Sequence, residues 1–275
     1  MTAARREQLL SYAVLIVFAI IAIYPIVSIV LLALHKRSDL VTGFSIPDTL
    51  DFGTFKTAWQ EGALGRGLIN SFIVAGAVTV VSAVLSTFAG YAFGAMRFRG
   101  SELLFYVLLL GLIFPYEATV IPLYYVFKDA GLTDSYWALI LPQIGLSIPF
   151  GTFWMRAFFR STPISLVEAS RLDGASSLAT LLRVLLPQAK PALTTLVVLV
   201  FMWTWNEFLL ALVMIQSDDL RTAPLGLALF AGANRTQDPT LTAAAAVLVA
   251  LPVVIVYVFL QRSFIRGMFA GGVKE

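Results

Sequence analysis

The chain has 275 residues, of which 59% are hydrophobic and 13% charged, whereas an ordinary soluble domain carries about 25% charged residues. One soluble core cannot hide that much apolar surface, so the natural solvent of the chain is lipid. The absence of cysteine excludes disulfides, thiolate metal sites and cysteine nucleophiles, and the net charge of +3 fits the Lys/Arg excess of cytoplasmic membrane loops better than a nucleic-acid surface.

Six apolar runs follow in chain order: Leu9 to Leu34, Gly67 to Met96, Leu103 to Phe127, Ser135 to Met155, Pro191 to Ser217 and Pro239 to Gln261. Each exceeds the ~20 residues that cross ~30 Å of hydrocarbon at 1.5 Å per residue. None alternates with the period of a barrel strand, so the runs predict an all-α integral membrane protein with six transmembrane helices. The first run follows Arg5 and Arg6, but its 26 uncharged residues are too long for a signal-peptide core, which predicts an uncleaved helix. His35 closes that run and is expected in a solvated loop, not at a metal. The outer loop that follows carries Gly43, Pro47 and Gly53 and predicts irregular structure with one short helix near Phe55 to Glu61. In the second run Ser82, Ser86, Gly90 and Gly94 recur every four residues. Such a stripe lets helix backbones approach closely in lipid, and its expected role is packing. Ala243 to Ala246 give the sixth run a similar low profile.

Orientation follows from the basic residues. With both ends inside, the cytoplasmic segments hold twelve Lys and Arg (Arg97, Arg99, Arg156, Arg160, Arg171 and Arg183 among them) against seven outside. The expected topology is therefore N-in and C-in.

Two acids interrupt the apolar runs, and intramembrane acids mark function by default. Glu117 stands 14 residues into the third run and Glu207 about 16 into the fifth, which in straight helices puts both roughly 21–24 Å from the inner end. Pro115 and Pro122 bracket Glu117. Tyr116, Tyr124 and Trp205 are candidates to stack on a ring, with Asn206 and Glu207 binding hydroxyls. The plainer alternative is that the two acids are paired internally.

Between the fourth and fifth runs lies the most informative stretch, residues 156–190. Thr162 is expected to cap a helix with Pro163 at its first position. Gly174 should end that helix in a left-handed turn, and a second helix should start near Ser176 or Ser177 and stop before Pro187. Leu166, Val167 and Leu172 suit either a membrane interface or docking on another protein.

This loop resembles the EAA loop of permease subunits of bacterial ABC importers, in which E-A-A is followed after three residues by Gly and after nine more by I-x-L-P. Here Glu168 and Ala169 match, Ser170 replaces the second Ala, Asp173-Gly174 falls at the family spacing, and Val184, Leu186 and Pro187 complete the pattern. Trp205-Asn206-Glu207-Phe208 resembles an element of carbohydrate importer permeases; Asn70-Ser71 and the ending from Gln261 to Lys274 resemble the maltose and glycerol-phosphate type of second permease. The resemblance covers roughly residues 67–275. It implies the type I importer transmembrane fold in the bacterial cytoplasmic membrane, divided as residues 1–66 (first helix and outer loop), 67–262 (transmembrane core, with the coupling loop at about 160–190) and 263–275 (cytoplasmic tail). It further implies that Glu168, Ala169, Ser170, Asp173 and Gly174 couple the chain to a separate dimer of ATPase subunits, which holds ATP and magnesium. A second permease and an extracytoplasmic solute-binding protein complete the assembly, and the cargo is a sugar, amino sugar or glycerol phosphodiester. The chain has no Gly-Lys pair, hence no phosphate-binding loop of its own. The competing expectation is a secondary transporter with Glu117 and Glu207 as ion sites, in which the Glu168-to-Pro187 loop has no purpose.

Overall fold

A computed structural model describes residues 3–37, 39, 41, 44–234 and 238–270, with side chains for all but 3–6, 9, 234 and 262–270. Every regular element among the described residues is helical: α1 (Ala3–Ala33), α2 (Gly53–Glu61), α3 (Leu64–Ala95), α4 (Ser101–Leu109), α5 (Tyr116–Asp129), α6 (Tyr136–Ser161), α7 (Ile164–Leu172), α8 (Ser177–Gln188), α9 (Lys190–Trp205), α10 (Leu209–Met214), α11 (Ala223–Asn234) and α12 (Pro239–Ala270). The last helix runs past Arg262 into the stretch expected as a tail.

Among the described residues, four segments are long and apolar enough to cross a membrane unbroken: Leu10–Ala33, Leu64–Ala95, Tyr136–Ser161 and Pro239–Gln261. Two bent pairs bring the number to six: Ser101–Leu112 with Tyr116–Asp129, bent by 92°, and Ser177–Gln188 with Lys190–Trp205, bent by 81°. The expected six spans are matched when each bent pair is counted as one. In the third span the first helix ends by Leu112 and the next begins at Tyr116, with Pro115, at an extended ψ of 123°, in the cap position between them; the proline ring also disfavours a helical conformation at Phe114 before it. Pro122 stays within α5.

The chain divides into two compact units, Met1–Gly65 with Gly226–Leu251, and Arg66–Leu225 with Pro252–Glu275. In the first, α1 presents Leu10, Phe18, Ile20 and Ile26 more than half exposed, as a lipid-facing helix should. His35 corrects the sequence expectation, because it is buried at 4% exposure. Its Nδ1 donates to the Leu31 carbonyl at 2.9 Å and its Nε2 lies 3.2 Å from Ser45 Oγ. Arg37 Nε donates to Asp238 Oδ2 at 2.5 Å, and the other carboxylate oxygen of Asp238 accepts from Leu241 N at 2.9 Å, capping α12.

The second unit holds one large apolar core running from Val74 on α3 through Leu139 and Met155 on α6 to Leu196 on α9 and Leu210 on α10. The small-residue stripe does what it was expected to do. A methyl group on Gly90 would stand 2.5 Å from Met155 Cβ, and one on Gly94 would stand 2.9 Å from Phe159 Cβ, so α3 and α6 touch backbone to backbone. On the other end of α3, Asn70 Nδ2 donates to the carbonyls of Asp219 and Arg221, both at 2.8 Å, and Asn70 Oδ1 accepts from Tyr136 OH at 2.7 Å. That one buried amide fastens the loop before α11 to α3 and α6.

Candidate functional site

The fifth apolar run breaks at Asn206, and the break explains Glu207. Residues 206–208 leave the helix between α9 and α10. The Glu207 carboxylate then accepts from Leu210 N at 2.8 Å through Oε1 and from Ala211 N at 3.2 Å through Oε2. An acidic side chain that takes the first free N–H groups of a helix caps it and complements its dipole. Glu207 Oε1 also accepts a hydrogen bond from Tyr116 OH at 2.5 Å, and Tyr116 is the first residue of α5, just beyond the Pro115 break. The carboxylate thus joins the break before Tyr116 in the third span to the break at Asn206.

A groove of about 560 Å³ opens beside this junction. Tyr116, Gln143, Ser147, Trp203, Asn206 and Glu207 are among its walls. Trp203 is half exposed and stacks edge-on against Phe150, centroids 4.9 Å apart. An aromatic face with several amide, hydroxyl and carboxylate groups is chemistry suited to a polyhydroxylated ring.

The structure brings Tyr116, Asn206 and Glu207 together at the groove, as the sequence led one to expect, but not Trp205 or Glu117. Trp205 is 2% exposed and packs with Ala75, Phe72 and Phe201. Two residues along a helix is a turn of about 200°, so Trp203 faces the groove and Trp205 the core. Glu117 is exposed on α5 and is not among the groove walls. Both acids stand just beyond a break, Glu117 after Pro115 and Glu207 after Asn206, so a depth counted along straight helices does not apply to them. Gln143 and Ser147 were missed. The available signal was their spacing of four on a span that carries no charge, which puts both on one helix face.

The second candidate region is the loop between α6 and α9. Its helix α7 ends at Leu172, as expected, in a complete Schellman motif: Ala175 N donates to Ser170 O at 2.9 Å and Gly174 N to Arg171 O at 3.0 Å. Gly174 has φ +78°, the left-handed conformation the sequence called for. Ser176 caps α8, its Oγ accepting from Ala179 N at 3.3 Å. Two details differ. Thr162 does not cap α7; its hydroxyl donates back to the Phe158 carbonyl at 3.2 Å, and Pro163 takes the cap position. And α8 does not stop before Pro187. It widens into a π-helical stretch, Thr180–Leu185, and runs on to Gln188. There Leu186 N reaches the Leu181 carbonyl, so the wider turn carries the chain through the residue that has no N–H to give.

Glu168, Ala169, Asp173 and Gly174 lie exposed on α7 and its turn, beside Leu172 at 89% exposure and Ile164 at 61%. Ser170 does not join them. It is 5% exposed; its hydroxyl donates to the Val167 carbonyl at 2.8 Å and lies 2.9 Å from Thr180 Oγ1. With the one Ser170 proton used, Thr180 donates to it. Ser170 therefore ties α7 to α8 from within, and Glu168, Ala169, Asp173 and Gly174 are left as the outward-facing set.

The sequence profile of the family described as binding-protein-dependent transport system inner membrane component matches residues 84–270. The chain belongs to this family. Among similar proteins is the trehalose transport system permease protein SugB of Mycobacterium tuberculosis (strain CDC 1551 / Oshkosh), 34% identical over 92% of this chain and 93% of the other. Another is the diacetylchitobiose uptake system permease protein NgcG of Streptomyces coelicolor (strain ATCC BAA-471 / A3(2) / M145), 30% identical over 94% of this chain and 86% of the other. The fold also matches a chain from the crystal structure of a bacterial ABC transporter involved in the import of the acidic polysaccharide alginate, with a TM-score of 0.79 and 27% identity over 96% of this chain and 99% of that one. As a member of the inner membrane component family, the chain is a multi-pass protein of the cytoplasmic membrane and a transport subunit, not itself an ATPase. Both the groove and the α7–α8 loop fall within or beside the matched residues.

Proposed function

We propose that this chain is one permease subunit of an ATP-driven importer for a sugar or sugar-like solute, with both ends in the cytoplasm. A second permease faces it, an extracytoplasmic binding protein delivers the solute, and a separate ATPase dimer, which binds ATP and magnesium, docks on α7. The observation that carries the assignment is the outward face of α7: Leu172 at 89% exposure, flanked by Glu168 and Asp173, on a helix that Ser170 ties to α8 between α6 and α9. An apolar side chain so exposed away from the lipid-facing spans suits a protein partner. The saccharide relatives and the Trp203 groove support a carbohydrate cargo, and Gln143, Ser147 and Asn206 are the hydroxyl partners in this chain. An ion-driven transporter is disfavoured, since Glu207 already serves as a helix cap and Glu117 lies outside the groove.

The test is reconstitution of the chain with its partner permease, ATPase and binding protein in vesicles. Labelled trehalose, diacetylchitobiose and maltodextrin are offered with and without ATP. ATP-dependent uptake that needs the binding protein is expected; uptake driven by an ion gradient without ATP overturns the proposal.

A further inference from the structure

Arg156 lies five residues before α6 ends at Ser161 and is 9% exposed. The sequence had counted it only as a cytoplasmic loop charge. Its Nη2 donates to both carboxylate oxygens of Glu102, each at 2.8 Å. Its Nε donates to the Phe93 carbonyl at 3.2 Å, in the last turn of α3, where carbonyls have no partner within the helix. The guanidinium also rests on the Phe105 ring, 3.8 Å from its centroid. Glu102 stands in the first turn of α4, where a carboxylate complements the helix dipole. One cation thus fastens the ends of three helices.

The position of this knot sets its consequence. On one side, Phe159 of α6 and Val167 of α7 belong to the same buried core, so displacement of α7 bears on the end of α6. On the other side, α4 leads through Leu112 to the 92° bend, and the helix beyond it begins with Tyr116, which holds Glu207 at the groove. Between α6 and this bent span, the described ion pairs at the loop end are Glu102 with Arg156 and, more loosely at 4.0 Å, with Arg160. One planar guanidinium holds Glu102 through Nη2 and the Phe93 carbonyl through Nε at once, a fixed spacing of donors that the single ammonium of a Lys does not offer.

We propose that the Arg156–Glu102 pair is the positioning link that carries movement of the α7 loop to the bent third span, and so to the groove. This rests on the importer assignment above.

Reconstituted complexes carrying E102Q, R156K or neither are compared for solute transported per ATP hydrolysed, for basal ATPase rate and for assembly. Gln keeps the shape of Glu102 and removes its charge. E102Q is expected to keep assembly and basal hydrolysis and to lower solute moved per ATP at least tenfold, with R156K giving a similar loss. A wild-type ratio in E102Q overturns the link while leaving the importer assignment intact, because the wild-type complex serves as that assignment's own control. If R156K fails to assemble, E102Q alone decides. If neither variant assembles, the pair is a static brace and the proposal is also overturned.

Discussion

Tyr116 and Glu207 are 91 residues apart in sequence, and the phenol donates to the carboxylate at 2.5 Å where the two broken helices meet. Each break alone would leave a loose helix end. Together, α5 supplies the donor and the fifth span supplies an acceptor that is already capping α10. The third span and the groove wall are therefore held by one hydrogen-bonded junction.

Replacing Glu207 by Gln should cost stability as well as transport. The Gln amide can present one oxygen to Leu210 N and Tyr116 OH, but its NH2 then meets the Ala211 N–H, donor against donor. A loss of about 1–2 kcal/mol is expected, the size of a broken helix cap, read as a lower melting temperature of the purified complex together with reduced uptake. Tyr116→Phe removes only one bond and should cost about 1 kcal/mol. Unchanged melting in both variants would remove the junction from the account.

Gly174 has open space around it, with nothing within 4 Å of where a Cβ would stand, but its φ is +78°. The penalty for a side chain is therefore backbone strain and not collision. Gly174→Val should abolish solute-stimulated ATP hydrolysis while the complex still assembles, and Gly174→Asn should be mild, because Asn tolerates the left-handed region. Equal transport by the Val and Asn variants would mean the turn does not position α7.

Gly90 presents the opposite case. A methyl group there would meet Met155 Cβ at 2.5 Å and Arg156 N at 2.9 Å. Gly90→Ala should destabilise the complex by about 1–3 kcal/mol through overpacking. Gly76→Ala, on the same helix with nothing within 4 Å, should be neutral or slightly stabilising. Melting curves of the two purified variants, run side by side, check the contrast.

Asp134 holds the loop after α10. Its carboxylate accepts from Ser217 Oγ, and its Oδ1 from Ser217 N and Gln216 N, each at 2.9 Å. The Ser217 hydroxyl first, then the two backbone N–H groups, hold its pKa below the ordinary range. A depressed carboxylate contributes stability that is present above the unfolded pKa of about 3.9 and lost as pH falls through the folded value. Hydrogen exchange at Gln216 and Ser217 should therefore lose protection below about pH 4. Asp134→Asn should remove that acid step, and protection that stays level with pH in the wild type would refute the assignment.

Topology has its own check. Reporter fusions after Arg99 and Gly174 should read as cytoplasmic and those near Pro47 and Asp129 as outside. An external signal at Gly174 would place α7 on the wrong side for any ATPase.

How much of this was legible in advance depended on the range of the interactions. Lipid as solvent, six apolar runs, the small-residue stripe through Gly90 and Gly94, and the left-handed turn at Gly174 are local matters. Transfer free energy, helical spacing and the φ preference of glycine decide them within a few residues of chain. The sequence could also show that Glu207 was unusual, since a lone acid in an apolar run requires an explanation. Its partner could not be found that way. Whether Glu207 binds a solute or caps α10 depends on where Tyr116 arrives after the 92° bend. In the same way, the helix break and rotation turned Trp203 outward and Trp205 inward, and the meeting of three helix ends made Arg156 a buried knot instead of a loop charge. Those outcomes were decided only in the tertiary structure, because a buried polar group takes whichever partner the packing brings within hydrogen-bond reach, and that partner lay 54 residues away for Arg156 and 91 for Glu207.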